Sequence, residues 1–507
     1  MSAPPGGGWP AALTLALVWA LAPVLPALAA GAIPGSPWTD LYPSVWGLGW
    51  FAAHQPGFPL FATELAAPDG MPFYYSSPLH GWAATPLAFV GGPVFAWTAT
   101  LVGARFLGVV VGFACFRAAG IGPQGALAAA GIYAASPFFH GYAVEGIVEG
   151  TDAWTLPLWA LAVLRGRTVA AGLAFALIPL SSWYLGIVAV VVAAGWGLVD
   201  RRAWTSAAMG LALAAPFAWA FTRAMSGATP LPDEIRAAMG APLRIASPGV
   251  LEGTNPFALS AWVGLSAPLL ALPAARERRS ILFGAALFAF LSLGVGPHYE
   301  LPVLASIRFP YRWHAGTLFC LALVAGHGLD ALLARVRGVG TRTALGTALA
   351  LVPVVEGALL SPVEPILPSA PADVPAIYDD VVGAVLLDVP GPVAMPPGVM
   401  NASRPRSRYL LYYQLHHGRA SPWAPDFNGV AATPTPDWLS TFASWDPLTR
   451  STRTPPDVAG ARAAGVRDVM VHRAELRANA EGLVRALEQA GAARVADDGE
   501  RVLLRLN

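Results

Sequence analysis

Long apolar stretches alternate with two kinds of polar connection along the first 360 or so residues. A helix that crosses the hydrocarbon core of a bilayer needs about 20 mostly apolar residues. The pattern therefore predicts an α-helical polytopic membrane protein with about eleven transmembrane helices. The predicted spans are roughly 11–32, 93–117, 123–139, 152–165, 168–183, 184–199, 204–222, 257–275, 280–296, 313–334 and 343–361.

Every second connection is short and carries arginine. These connections hold Arg117, Arg165, Arg167, Arg201, Arg202, Arg276, Arg278, Arg279, Arg335, Arg337 and Arg342. Because basic residues concentrate in cytoplasmic loops, we expect these connections on the cytoplasmic side of the cell (inner) membrane. With an odd number of spans, the N-terminus is then cytoplasmic and the C-terminal region lies outside.

The first outward connection, over residues 31–92, is long and aromatic. Tryptophan and tyrosine favour the headgroup layer, where one edge of the ring meets water. We therefore expect one or two short helices along the membrane surface, for example over Tyr42–Gln55.

The periodicity changes after residue 360. A Pro-rich linker is followed by strand-like Ala384–Val389, a polar segment Arg404–Trp423, helix-like Pro456–Ala464, strand-like Val466–His472, helix-like Ala478–Ala490 and a hairpin around Asp497–Gly499. This order predicts a transmembrane domain over residues 1–360 and a small extracytoplasmic α/β domain over residues 361–507.

The composition agrees with a membrane protein. Hydrophobic residues make up 55% of the chain and charged residues 12%, so a soluble protein would expose too much apolar surface. The lipid bilayer is therefore an expected partner, and no nucleic-acid partner is expected. Cys115 and Cys320 lie in apolar segments, which argues against a disulfide framework.

Asp40 is the first candidate for chemistry, just beyond the first span. A carboxylate at an apolar interface loses solvation and becomes a better base. The alternative is an interfacial aspartate that caps the following short helix. Both interpretations stay open on the sequence alone.

A second candidate group lies between the third and fourth spans. It contains His140, Glu145, Glu149 and Asp152, and the two glutamates would share one face of a helix. Carboxylates with a phosphate oxygen could hold Mg²⁺ or Mn²⁺, although the spacing is not specific for a metal. A metal-free acidic rim or a helix cap is the alternative.

The third candidate is the pair Arg308 and Arg312 with the neighbouring Tyr311, in an outward loop where the charge bias does not call for arginine. Arginine there can hold an anionic phosphate by two hydrogen bonds. Alternatively, these side chains extend to lipid headgroups or pair with Glu300. Arg105, near the middle of the second span, must face protein or water, where it could line a substrate cavity.

The layout resembles the GT-C superfamily of polytopic glycosyltransferases, especially bacterial members related to protein mannosyltransferases and the YfhO-type membrane proteins. The stretches that carry the resemblance are TDLYPSVWGLGW, AAPDGMPFYYSSP, SIRFPYRWHAGTLFCLALVAGHGLD and, in the tail, VLLDVP, RYLLYYQLHHGR and AGVRDVMVH. They cover most of the chain.

The resemblance implies transfer of a sugar from a polyprenyl-phosphate carrier to a glycan, lipid or protein acceptor on the outer face. It implies that Asp40 is the base, with inversion at the anomeric carbon. Arg308 or Arg312 would neutralise the departing phosphate, and Glu145, or else Glu149, would be a second acid. These groups are expected to meet in one hollow.

A non-catalytic membrane protein is the alternative function. It could be a transporter of lipid-linked glycans or an assembly partner in envelope biogenesis. A transporter would place ionisable groups along a path through the bilayer, with Arg105 central to it.

Overall fold

Helices occupy most of the predicted apolar segments. The computed structural model describes residues 8–37, 40–224, 262–294, 296, 299, 309–391, 409–424, 435–447 and 452–506. Within these residues the helices are α1 Trp9–Leu21, α2 Leu25–Ala29, α3 Leu41–Ala53, α4 Pro78–Ala118, α5 Pro123–Ala134, α6 Pro137–Val144, α7 Thr155–Leu164, α8 Thr168–Ser181, α9 Trp183–Gly197, α10 Arg201–Ala224, α11 Ser266–Ala271, α12 Arg279–Leu291, α13 His314–Leu333, α14 Val339–Leu360, α15 Tyr409–His417, α16 Asp437–Ala443, α17 Val458–Ala463, α18 Arg473–Leu476 and α19 Ala480–Gln489.

In the described part of the chain the strands form two short pairs and one four-stranded sheet. They are β1 Ile33–Pro34, β2 Phe61–Ala62, β3 Met71–Pro72, β4 Ser369–Ala370, β5 Val385–Val389, β6 Val466–His472, β7 Ala492–Asp497 and β8 Arg501–Leu506. β1 pairs with β4 and β2 with β3. The sheet has the order β5-β6-β8-β7; β5 and β6 are parallel and the other neighbours are antiparallel.

Among the described residues, four helical segments are long and apolar enough to cross a membrane: α4, α10, Pro310–Leu333 and α14. Together with shorter apolar helices they make this a multi-pass membrane protein. The number of about eleven spans remains a prediction.

Proline and glycine shape α4. The helix runs from Pro78 to Ala118, and its backbone is non-helical at Gly92, where two helical segments meet. Gly92 has φ +78° and ψ 174°, and Pro93 follows it. Glycine adopts positive φ at little cost and proline has no N–H to donate, so α4 bends where the sequence predicts a boundary.

The chain divides into two compact units. The first contains Met1–Ser36, Ser76–Trp219 and Pro230–Ala370, and the second contains Pro37–Tyr75, Ala220–Thr229 and Pro371–Asn507. The predicted domain boundary at residue 360 lies close to the end of the first unit. The extracytoplasmic position of the C-terminal region remains a prediction.

In the first unit, α5 packs against α4, α13 and α14. The helices approach closely at Gly125 of α5 and Gly326 of α13, where a Cβ on Gly326 would lie 2.9 Å from the carbonyl oxygen of Gly125. Small residues allow such approach, which helices in a membrane need because burial from water drives their association little.

Substituting Gly125 with alanine should therefore destabilise the first unit. Its Cβ would collide with the Gly326 carbonyl oxygen, a backbone atom that cannot rotate away. We expect a loss of about 1–3 kcal/mol, measured by thermal unfolding of the purified protein in detergent. Gly103→Ala in α4, where nothing lies within 4 Å of the added Cβ, is the matched control. Equal stability of both variants would contradict this packing.

The second unit contains the predicted elements of the tail. Strand-like 384–389 and 466–472 correspond to β5 and β6, helix-like 456–464 and 478–490 to α17 and α19, and the hairpin to β7 and β8. The polar segment Arg404–Trp423 contains α15, which the sequence pattern does not predict. α15 packs against α3 of the first loop, where Trp46 Nε1 donates to Gln414 Oε1 at 2.8 Å.

Candidate functional site

The loop between α6 and α7 turns sharply. α6 ends at Val144, and Gly146 has φ +69°, a conformation that suits glycine. A short 3-10 turn, Val148–Gly150, follows before α7 begins. Glu145 and Glu149 therefore do not share a helical face, because the helix on which that spacing depends ends before Glu145. Both are buried.

Arg312 and Glu149 form a buried ion pair in the first unit. Nη1 of Arg312 donates to Oε1 of Glu149, and the two residues are 6% and 9% exposed. Arg312 lies in the 3-10 turn Pro310–Trp313 that leads into α13. A charge so removed from water requires a partner of opposite charge, so the pair holds this turn against the α6–α7 loop.

Aromatic rings surround the same guanidinium. Arg312 Cζ lies 3.9 Å from the ring centroid of Tyr184, 4.8 Å from that of Phe309 and 5.7 Å from that of Tyr142. Nε also lies 3.5 Å from the hydroxyl oxygen of Tyr311. The negative ring faces stabilise the cation, and the rings exclude water. The result is a buried guanidinium that is enclosed by aromatic rings and paired with a carboxylate.

Arg105 and His140 form a separate buried pair. Nη1 of Arg105 donates to Nδ1 of His140 at 2.9 Å, and Nε and Nη2 donate to the carbonyl oxygen of Trp19 at 3.1 and 2.9 Å. Arginine cannot accept a hydrogen bond, so Nδ1 of His140 is the acceptor and Nε2 carries the proton. Nε2 then donates to the carbonyl oxygen of Glu364 at 2.7 Å. These contacts tie α1, α4 and α6 to the segment after α14.

This neutral form of His140 should make stability pH-dependent. Burial, and then the charge of Arg105, lowers the pKa of His140 from 6.5 to about 3. The folded-state pKa is thus below the unfolded one, so the stabilisation is complete above pH 6.5 and declines as pH falls from 6.5 towards 3. We expect the unfolding temperature to fall less steeply below pH 6.5 in His140→Asn than in the wild type. Parallel curves would contradict the assignment; His416→Asn, at an exposed histidine of α15, is the control.

The sequence analysis does not identify His80 as a functional residue. His80 is 4% exposed near the beginning of α4, and its Nδ1 lies 3.2 Å from Oδ2 of Asp152. Ser77 and Thr151 lie within hydrogen-bond distance of the two ring nitrogens. A lone histidine beside a proline turn has no spacing that predicts its partner 72 residues away, and only the fold brings the two together.

Asp40 lies in the second unit. It occupies the N-cap position of α3, yet its side chain makes no capping hydrogen bond. The capping alternative is therefore not supported. Two hydrogen bonds hold α3 in place. Nε1 of Trp46 donates to Oε1 of Gln414, and the Tyr42 hydroxyl donates to the carbonyl oxygen of Pro371 at 3.0 Å.

The predicted site residues thus separate into groups. Glu149, Arg312 and Tyr311 are brought together, and Arg105 pairs with His140. Glu145 is buried at the end of α6, and Arg308 lies outside the described residues. Within the described part of the chain, no group of three His, Cys, Asp or Glu residues could hold a metal ion. Their roles in catalysis and substrate binding remain predictions.

Three solved structures of glycosyltransferases are similar to this chain over nearly its whole length. Mycobacterial arabinofuranosyltransferase AftD matches with a TM-score of 0.58 and 17% identity, over 98% of this chain and 41% of AftD. The oligosaccharyltransferase of Archaeoglobus fulgidus in its apo form matches with a TM-score of 0.54 and 12% identity, over 99% of this chain and 75% of that one. ArnT from Cupriavidus metallidurans in its apo state has a TM-score of 0.52 and 13% identity, over 99% and 98%.

These neighbours share the GT-C fold, and this chain therefore has the GT-C fold. The resemblance stated from the sequence is confirmed at this level. The chain spans 41% of the length of AftD. No protein-family model matches the chain, and no curated protein matches it in sequence.

Proposed function

We propose that this protein is a membrane glycosyltransferase that moves a sugar from a polyprenyl-phosphate carrier to an acceptor on the outer face. The GT-C fold, shared with three glycosyltransferases, supports a transferase. The arginine distribution supports an outward C-terminal region and a cytoplasmic N-terminus in the cell (inner) membrane.

The observation that carries the proposal is the buried Arg312 in its aromatic surround. Its described anionic partner is Glu149, a carboxylate. A phosphate carries the same sign of charge and accepts the same hydrogen bonds, so it can replace the carboxylate without leaving the guanidinium unpaired. Glu149 then marks the position of the donor phosphate. Arg308 is assigned the same phosphate, and Tyr311 borders it.

In the proposed reaction Asp40 takes the proton from the acceptor hydroxyl. The freed oxygen attacks the anomeric carbon while the bond from that carbon to the phosphate oxygen breaks, and the electron pair leaves with the phosphate. One displacement inverts the anomeric carbon. Arg312 stabilises the charge that develops on the phosphate, which is the usual role of a preorganised cation.

The remaining predicted residues have supporting roles in this proposal. Glu145 is the second acid, while Arg105 and His140 shape the wall of the site. A divalent metal is not included, because Glu149 is engaged by Arg312 in the structure. The transporter alternative requires Arg105 to line a polar path through the bilayer. The guanidinium of Arg105 instead donates to His140 and to the carbonyl oxygen of Trp19.

Exchange of carboxylate for phosphate predicts opposite effects for two variants. Arg312→Lys keeps the charge but loses the planar donor pair, so its Kd for polyprenyl phosphate should rise about tenfold. Glu149→Gln removes the competing anion, so its Kd should fall by a similar factor, about tenfold. Binding is measured on the purified protein in nanodiscs, with Arg117→Lys on the predicted cytoplasmic side as control. Weaker binding by both variants would contradict the exchange.

The base assignment predicts that Asp40→Asn loses turnover. We expect kcat to fall about 100-fold or more with little change in KM for the donor, since an amide cannot accept the proton. Sugar transfer is measured from defined polyprenyl-phosphate donors with purified protein. Asp69→Asn, at an exposed acid of the same loop, is the control. Full turnover in a folded Asp40→Asn protein would refute the assignment, and donor binding without transfer by the wild type would favour the transporter.

A further inference from the structure

Two hydroxyl groups bracket the ring of His80. Oγ of Ser77, the residue before α4, lies 2.8 Å from Nδ1, and Oγ1 of Thr151 lies 3.2 Å from Nε2. Both hydroxyls also contact a carbonyl oxygen: Ser77 that of Ser181 at 2.7 Å, and Thr151 that of Val148 at 2.9 Å. The ring therefore has a hydrogen-bond partner on each nitrogen.

The charge of the His80 ring follows from the direction in which each hydroxyl donates its one proton. A hydroxyl has one hydrogen, and a carbonyl oxygen can only accept. If each hydroxyl donates to its carbonyl oxygen, each accepts from the nitrogen of His80 that it faces. Both nitrogens then carry a proton, and His80 is an imidazolium cation.

Asp152 supplies the opposite charge. Its Oδ2 lies 3.2 Å from Nδ1 of His80 but off the hydrogen-bond direction, while Oδ1 accepts from Nε1 of Trp154 at 2.8 Å. Both partners are almost completely buried, His80 at 4% and Asp152 at 2% exposure. At this distance the buried cation compensates the charge of a buried carboxylate that would otherwise be unpaired.

The backbone connects the His80–Asp152 pair to two parts of the Arg312 site, the turn with Glu149 and the helix with Tyr184. Thr151 directly follows the 3-10 turn that carries Glu149, and the N–H of Thr151 donates to Val148 within that turn. On the other side, Ser77 holds the end of α8 at Ser181. The next residue, Ser182, is the N-cap of α9. α9 contains Tyr184, whose ring packs against the guanidinium of Arg312.

We propose that His80, as an imidazolium paired with Asp152, is a positioning residue that holds Glu149 and Tyr184 around Arg312. It sets the affinity of that site for the donor phosphate and takes no part in the chemical step. The ligand in this inference rests on the proposed function, whereas the coupling of His80 to Glu149 does not.

Thermal unfolding tests the coupling without any ligand. His80→Gln and Glu149→Gln, alone and combined, are compared in the full-length protein. Residues that act as a unit are non-additive, so the double variant should lose less than the sum of the two single losses. Ser206→Ala removes a buried hydrogen bond to Trp159 near the beginning of α10, and its loss should add to that of Glu149→Gln. Additive losses for His80→Gln would overturn the positioning role.

A second comparison tests for the ion pair. His80→Gln leaves the Asp152 carboxylate buried without its cation, so Asp152→Asn in that background should recover part of the unfolding temperature. If His80→Gln does not fold, His80→Asn, which also removes the cation, replaces it in both tests. A further loss of stability in the double variant would overturn the ion pair.

Donor binding and turnover test the consequence. His80→Gln should release Glu149, the anion that competes with the donor phosphate for Arg312, and so lower the KM for the polyprenyl-phosphate donor about tenfold while kcat stays within about twofold. His80→Lys, which keeps a cation, should restore part of the KM. A fall in kcat at unchanged KM would overturn the positioning role. If the wild type neither binds nor uses the donor, the proposed function fails, and the unfolding data still decide the coupling.

Discussion

The site depends on one constraint, the need to pair a guanidinium that has been taken out of water. Arg312 is almost fully buried, and removing one partner of a buried ion pair costs about 3–5 kcal/mol. Its pairing with Glu149 therefore fixes the turn before α13 against the loop between α6 and α7. Tyr184 and Tyr142 then close over the cation because their ring faces stabilise it.

Local patterns in the sequence predict much of the fold. Apolar length predicts where most helices lie, and Gly92 with Pro93 marks a bend in α4. The strands and helices of the tail follow their periodicity. The 3-10 turn at Glu149 is not predicted, because the four-residue spacing of the glutamates also suits a helix, and Gly146 ends that possibility with a positive φ.

The contacts that build the site are not local. Glu149 and Arg312 are 163 residues apart, and Trp46 and Gln414 are 368 apart. A single sequence carries no signal for such pairings, although it identified Arg312 by a charge that an outward loop does not call for and Glu149 as one of a group of acids. The sequence does not single out His80, because one histidine near a proline is neither an unexpected charge nor part of a spaced group. Only the fold brings two hydroxyls and a carboxylate to its ring.

Arg105 and Arg312, both buried in the first unit, differ in the chemistry of their partners. The described partners of Arg105 are a neutral imidazole and a backbone carbonyl, and neither can leave without breaking the contact between α1, α4 and α6. The partner of Arg312 is a side-chain carboxylate at the end of a short turn. In the proposed function an incoming phosphate takes the place of that carboxylate, and the guanidinium keeps an anionic acceptor throughout. On the proposed function, the pair that stabilises the resting protein is therefore also the feature that equips it to take up an anionic donor.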